Sequence, residues 1–327
     1  AGHTKYTPAV GLAALREAIA ESYDRRYGVD VDPGCIVVTP GASGALLLTL
    51  GVLLDPGDQI LMADPGYPCN RHFARVFEGE ALMVPVDAAT DYQLTGANVR
   101  NHWTGRSVAV LVASPANPTG TLIPRAELTA IDTFVSGKGG ATLVDEIYHG
   151  LVYDGEAATA LSVSDQIFVI NSFSKYFGMT GWRLGWIVAP RPYVRELDKL
   201  AQNLFLAAPT LAQHAALAAF APQTLEIVEQ RRETYRQRRD FLIPALRELG
   251  FGITIVPQGA FYVYADCTAF TDDSFRFSRQ LLEDIGVAIT PGIDFGDYRA
   301  REHVRFAYTT SLERLEEGVE RLRRHLR

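Results

Sequence analysis

The chain has 327 residues, 47% hydrophobic and 21% charged, with a formal net charge of −7. That balance excludes a disordered or fibrous chain and leaves room for two domains with sizeable cores. The acidic surplus argues against a nucleic-acid face or an anionic-membrane surface, so a phosphate-bearing ligand has to be held by local donors.

In chain order, Leu12, Leu15, Ile19, Tyr23 and Tyr27 recur at helical spacing with Gly28 as the stop, which predicts a helix over 12–27. Short apolar runs then alternate with helical stretches. They begin at Cys35, Gln59, Ala81, Val108, Ala141, Ile167 and Gly185. Several are apolar throughout, as strands covered on both faces are. Helices lie between many of them, and the expectation is an α/β domain with a mostly parallel sheet. From about Pro192 the pattern changes to two long helices (207–220 and 226–249), strands at 252–256 and 260–265, a helix at 274–286, a strand at 303–308 and a last helix. That reads as a smaller α+β domain.

In an open parallel sheet, ligands bind beyond the carboxyl ends of the strands. The informative polar residues fall there: Gly41-Ala-Ser43, Ser114-Pro-Ala-Asn117, Asp145-Glu-Ile-Tyr148 and Asn171-Ser-Phe-Ser-Lys175. The strongest segment is Ser172-Phe-Ser-Lys175-Tyr-Phe-Gly178-Met-Thr-Gly181-Trp-Arg183-Leu-Gly185. A lysine just after an apolar strand is dry enough to favour its neutral amine, the form that condenses with an aldehyde. Ser172, Ser174 and Arg183 offer donors for a dianionic phosphate. Taken singly, Lys175 reads equally well as a solvated strand-end charge and Arg183 as an ordinary ion-pair partner.

As a whole, the string resembles the lysine signature of the class I/II pyridoxal-phosphate aminotransferases of fold type I. Other family landmarks follow in order. Asn117-Pro-Thr-Gly120 is similar to the turn whose asparagine bonds the cofactor's phenolic oxygen. Asp145-Glu-Ile-Tyr148 resembles the segment whose aspartate pairs with the pyridine nitrogen and whose tyrosine reaches the phenolic oxygen. Ala42 and Ser43, opening a helix, match the phosphate seat. Tyr67 matches the ring stacked on the pyridine, and Arg305 matches the fork that grips the substrate carboxylate. Tyr6 resembles the tyrosine that reaches the neighbouring subunit's phosphate.

The resemblance implies a seven-stranded, mostly parallel sheet with helices on both faces in a large domain (1–208), followed by connecting helices and a small α+β domain (209–327). It implies pyridoxal 5′-phosphate carried by Lys175 as a Schiff base, ping-pong transfer of an α-amino group to a 2-oxo acid, and a homodimer with shared active sites. Lys175 would move the Cα proton as general base and acid, with Asp145 and Tyr148 tuning the cofactor. Family members carry an N-terminal segment ahead of the Tyr6 position that covers the substrate, and the expectation is that it is lacking here. A β-lyase of sulfur amino acids shares this machinery and is the alternative. A non-catalytic regulator on the same fold is the alternative of another class, disfavoured by the complete catalytic set. Ser43 replaces a lysine that some relatives with acidic substrates use, and no second substrate arginine is evident, which leans toward neutral or aromatic amino acids. Three scattered cysteines, Cys35, Cys69 and Cys267, suit a reducing cytoplasm rather than a disulfide framework or zinc site. No apolar run approaches the roughly 20 residues that span a bilayer.

Overall fold

A computed structural model describes residues 2–155 and 157–326. Each of the seven apolar runs is a strand: β1 (Ile36–Thr39), β2 (Gln59–Asp64), β3 (Glu80–Pro85), β4 (Ser107–Ala113), β5 (Ala141–Asp145), β6 (Phe168–Ser172) and β7 (Gly185–Val188). They form one sheet in the order β1-β7-β6-β5-β4-β2-β3. The block from β3 to β6 is parallel, and β7 runs antiparallel to both of its neighbours, β6 and β1. The sheet is mostly parallel, as expected.

Successive side chains of a strand face opposite ways, so each run feeds two cores. Ile36 and Val38 join one cluster with Leu61, Val110, Val112, Val144 and Val169. Val37 joins the other with Ile60, Leu111, Leu143, Phe168 and Ile170. Helices α1 (Ala13–Tyr27), α4 (Gly96–His102) and α5 (Arg125–Gly137) cover the first face, together with α7 (Thr210–Ala219). The second is covered by α2 (Gly41–Leu53), α3 (Cys69–Val76) and α6 (Val194–Phe205). Burial on both faces is why these strands lack a polar alternation.

A 28-residue helix, α8 (Pro222–Leu249), leads to a three-stranded antiparallel sheet, β8-β10-β9. Its strands are β8 (Tyr262–Asp266), β9 (Thr290–Pro291) and β10 (His303–Ala307). Leu242 and Leu246 of α8 share its core with Phe277 and Leu281 of α9 (Ser274–Ile285) and with Leu315, Val319 and Leu322 of α10 (Leu312–His325). The strand expected at 252–256 is a correction. Gly252 alone makes a bridge, to Asp266, and the carbonyl of Ile253 accepts from the Arg247 guanidinium at 2.7 Å instead of from a neighbouring strand. Among the described residues no helix is long and apolar enough to cross a membrane.

Candidate active site

Because β1, β2, β4, β5 and β6 point the same way, their carboxyl ends share one rim. The loops leaving it carry Ala42 and Ser43, Tyr67, Asn117, Tyr148, and Ser174 and Lys175. Arg183 arrives just ahead of β7, whose amino end lies on the same rim. The small sheet closes the opposite wall with Tyr262, Arg305 and the 292–295 turn. Together these residues line a cavity of about 290 Å³.

Asp145, the last residue of β5, is buried, and its Oδ1 accepts the N–H of Ile147 at 3.0 Å. Burial pushes its carboxyl up to about 6, against the pull of that N–H and of Lys175. Lys175 lies three residues beyond β6, with Nζ 5.7 Å from the ring centres of both Tyr148 and Phe261. Burial also draws the lysine below its usual range, Asp145 opposes, and Arg183 and Arg305 reinforce the fall. Both effects favour neutral forms. Tyr148 is buried, its hydroxyl oxygen 3.0 Å from that of Tyr262.

Arg305 sits in the middle of β10 between two aromatic rings, 4.1 Å from the centre of Tyr262 and 4.7 Å from that of Phe295. Its Nη1 donates to Asn117 Oδ1 at 2.8 Å and its Nη2 to Thr290 Oγ1 at 3.3 Å, while Nε is buried without a partner. Among the described residues no carboxylate pairs with it. A half-buried guanidinium that faces a cavity with no carboxylate partner is an anion site by elementary electrostatics.

At the other end, α2 presents the free N–H groups of its first turn. Gly41 has φ 75°, and a Cβ there would stand 2.8 Å from Arg183 Nη2, so the glycine lets the guanidinium lie against the helix start. Arg183 Nη1 donates to the Thr180 carbonyl at 3.2 Å.

This cavity has an amine, a facing acid and anion seats at both ends, and the comparisons with known proteins agree with it. The profile of the family described as aminotransferase class I and II matches residues 2–322. The chain belongs to the class I and II aminotransferases. It is 41% identical to valine–pyruvate aminotransferase of Mycobacterium tuberculosis, over 97% of this chain and 82% of that one. It is 35% identical to aspartate/prephenate aminotransferase of Thermus thermophilus, over 99% and 84%. A crystal structure of an aminotransferase from M. tuberculosis superposes with a TM-score of 0.96 at 40% identity, over 99% of this chain and 84% of that one.

An aminotransferase of this family works with pyridoxal 5′-phosphate, and the residues present fit that group. Gly41, Ala42, Ser43, Ser174 and Arg183 supply donors for a phosphate. Asp145 offers an acid to a ring nitrogen, Lys175 an amine to an aldehyde, and Tyr67 an aromatic face.

The structure brings Ala42, Ser43, Tyr67, Asn117, Asp145, Tyr148, Lys175, Arg183 and Arg305 of the aminotransferase together as expected. Ser172 departs from expectation. Its hydroxyl is held by Ser174 Oγ and the Leu184 carbonyl, both at 2.9 Å, and Ser174 takes its place on the cavity wall. The reason is the turn itself: the N–H of Ser174 folds back onto Ser172 Oγ at 3.0 Å. Tyr6 is 81% exposed and does not line the cavity of its own chain. The sequence reading missed Thr180, Tyr262, Asp294 and Phe295, all in the wall, and Asp64 behind it. Nothing local to Tyr262 or Phe295 marks either as a site residue, and only the packing of the second sheet and its loop against the first puts them in the wall.

Proposed function

We propose that this aminotransferase takes the α-amino group of a neutral or aromatic L-amino acid and delivers it to a 2-oxo acid in two alternating, ping-pong half-reactions, with the cofactor carried on Lys175. The observation that carries this reading is the set of charges in the cavity wall: Lys175, Arg183 and Arg305 against Asp145 and Asp294. With Arg183 beside the phosphate seat and Arg305 taking the α-carboxylate, no cation of the wall is left for a side-chain carboxylate, and Asp294 would repel one.

When bound, pyridoxal phosphate supplies the electron-withdrawing ring that accepts the pair left behind as the Cα proton departs. Asp145 would serve that ring as the acid paired with its nitrogen. A buried carboxylate needs a cation opposite it, and a protonated ring nitrogen is its complement. Lys175 would be the base that takes the Cα proton and the acid that returns it, since burial favours its neutral amine. Tyr148 and Asn117 hold the phenolic oxygen, and Asn117 can do so through Nδ2 because Oδ1 is already turned to Arg305. Ala42, Ser43, Ser174 and Arg183 hold the phosphate, and Tyr67 covers the ring face. Arg305 would grip the substrate's α-carboxylate and so fix the orientation of its Cα in the cavity.

In the same reading the enzyme is a homodimer. The exposed Tyr6 reaches the neighbour's phosphate seat, residues 1–208 form the cofactor domain, and residues 209–327 form the connecting helices and substrate-side domain. Three free cysteines suit a cytoplasmic setting.

The test is a half-reaction screen. Holoenzyme is mixed with each amino acid while the visible cofactor band is followed. Neutral and aromatic amino acids should convert the band at rates at least tenfold above aspartate and glutamate, and the reverse order would refute the substrate assignment. Lys175→Ala should abolish the pH-dependent visible band, and a variant retaining both band and turnover would refute the role of Lys175.

A further inference from the structure

Tyr148 and Tyr262 come from opposite sheets, one following β5 and the other opening β8, and they meet edge to face with ring centres 5.8 Å apart. Their hydroxyl oxygens stand 3.0 Å apart, and both residues are less than a tenth exposed. Two phenols have two protons, and the bond between them uses one. If Tyr148 is the donor, its proton is spent on Tyr262 and it can only accept from whatever enters the cavity. If Tyr262 is the donor, the proton of Tyr148 is free to point inward.

The surroundings decide between the two. The Arg305 guanidinium lies 4.1 Å from the centre of the Tyr262 ring. A cation against a phenol stabilises its ionised form, so its hydroxyl becomes the stronger acid and the better donor of the pair. The direction of the shifts agrees: burial pushes both hydroxyls up, Tyr148 well up, and Arg305 is the chief influence drawing Tyr262 back.

We infer that Tyr262 is a positioning residue for the amino-transfer reaction: it donates to the oxygen of Tyr148 and so directs the proton of Tyr148 to the cofactor's phenolic oxygen. This rests on the proposed function, in which Lys175 carries the cofactor and Tyr148 reaches that oxygen. The consequence is electronic. A donor on the phenolic oxygen holds negative charge there and makes the neighbouring Schiff-base nitrogen less basic. Tyr262 strengthens that donor at one remove, because hydrogen bonds in a chain polarise one another.

The test is a titration of the visible band of the holoenzyme. Tyr262→Phe removes one hydroxyl and keeps the ring against Arg305. It should raise the Schiff-base pKa by about 0.1–0.7 unit, the cooperative fraction of one charge-assisted bond. Tyr148→Phe should raise it further, and adding Tyr262→Phe to that variant should move it no more. Site-specific 3-fluorotyrosine at position 262, a more acidic phenol of nearly the same size, should shift the titration downward, and it covers the case of a phenylalanine variant that fails to accumulate. An unmoved or lowered titration in Tyr262→Phe, an equal rise in the Tyr148→Phe background, or an unmoved fluorotyrosine titration would overturn the assignment of Tyr262 while the proposed function stands. A wild-type protein without a Lys175-dependent visible band overturns both.

Discussion

Removing the carboxylate of Asp64 should loosen the substrate-side wall without touching the cofactor side. Asp64 ends β2 and is buried. Its Oδ2 accepts the backbone N–H groups of Asp297 at 3.0 Å and Tyr298 at 3.1 Å, more than 230 residues away. The same loop carries Phe295, whose carbonyl accepts the N–H of Gly66 at 2.9 Å and whose ring supports Arg305. Each hydrogen bond to a buried carboxylate contributes about 1.5–3 kcal/mol, and these N–H groups lie near enough to the surface to turn to water. Asp64→Ala should therefore cost about 2–3 kcal/mol of stability, and Asp64→Asn about half of that, because an amide oxygen still accepts. The KM for the amino acid should rise roughly tenfold, equivalent to about 1.4 kcal/mol of lost preorganisation, with the visible band unchanged. Gly296 provides the control. A Cβ there would come within 1.7 Å of Asp64 Oδ1, so Gly296→Ala is excluded while the carboxylate is present. In the Asp64→Ala background the obstacle is gone, and the two changes should be non-additive by about 2 kcal/mol or more. Urea unfolding together with steady-state kinetics measures all of this. An Asp64→Ala protein as stable as wild type with an unchanged KM, or strictly additive costs in the double variant, would refute the reasoning.

Three further outcomes follow from the same geometry. Arg305→Lys loses the planar fork and its bond to Asn117, so kcat/KM should fall about 10²-fold or more while cofactor affinity holds; a loss below threefold would remove Arg305 from carboxylate binding. Gly41→Ala places a methyl against Arg183 in a left-handed backbone position, so cofactor binding, followed by gel filtration and absorbance, should weaken; unchanged binding counts against Arg183 as a phosphate ligand. Glu146 is fully buried, accepts from the Ala160 N–H and the Thr159 hydroxyl, and burial pushes its carboxyl up to about 8. His149, whose Nδ1 is 3.3 Å away, is pushed down to about 3 by burial, so burial favours the neutral form of both groups. The folded protein keeps a proton on Glu146 between pH 4.5 and 8 that the unfolded chain has released, so this group makes stability fall as pH rises through that window, by about 1.4 kcal/mol per unit at most. Glu146→Gln should keep the fold and flatten the fall between pH 6 and 8 in urea unfolding; an unaltered slope would show that the carboxyl does not carry the proton.

How much was legible in the residues varies by scale. The seven apolar runs became seven strands because a strand covered on both faces needs little more than a continuous apolar stretch, and that is a local property. The lysine string and its partners at strand ends were legible for a related reason: their chemistry depends on residue type and on the strand-to-loop junction. The strand expected at 252–256 failed because strand formation needs a partner backbone as well as an apolar pattern. There, β8 pairs with β10, and Arg247 satisfies the Ile253 carbonyl. Ser172 failed on the exact fold of a tight turn, where one hydroxyl out of two is drawn inward.

By itself, the order of residues determined the kind of sheet, the strand-end positions of Lys175 and Asp145, and the family to which the chain belongs, because these rest on periodicity and on motifs a few residues long. Only the tertiary structure decided which aromatic rings enclose Arg305, that Tyr262 meets Tyr148 across 114 positions of chain, and that Asp64 clasps the loop around Gly296. Those contacts join two sheets whose packing is set by side-chain shape over the whole interface. No local run of residues encodes a distance between segments that far apart.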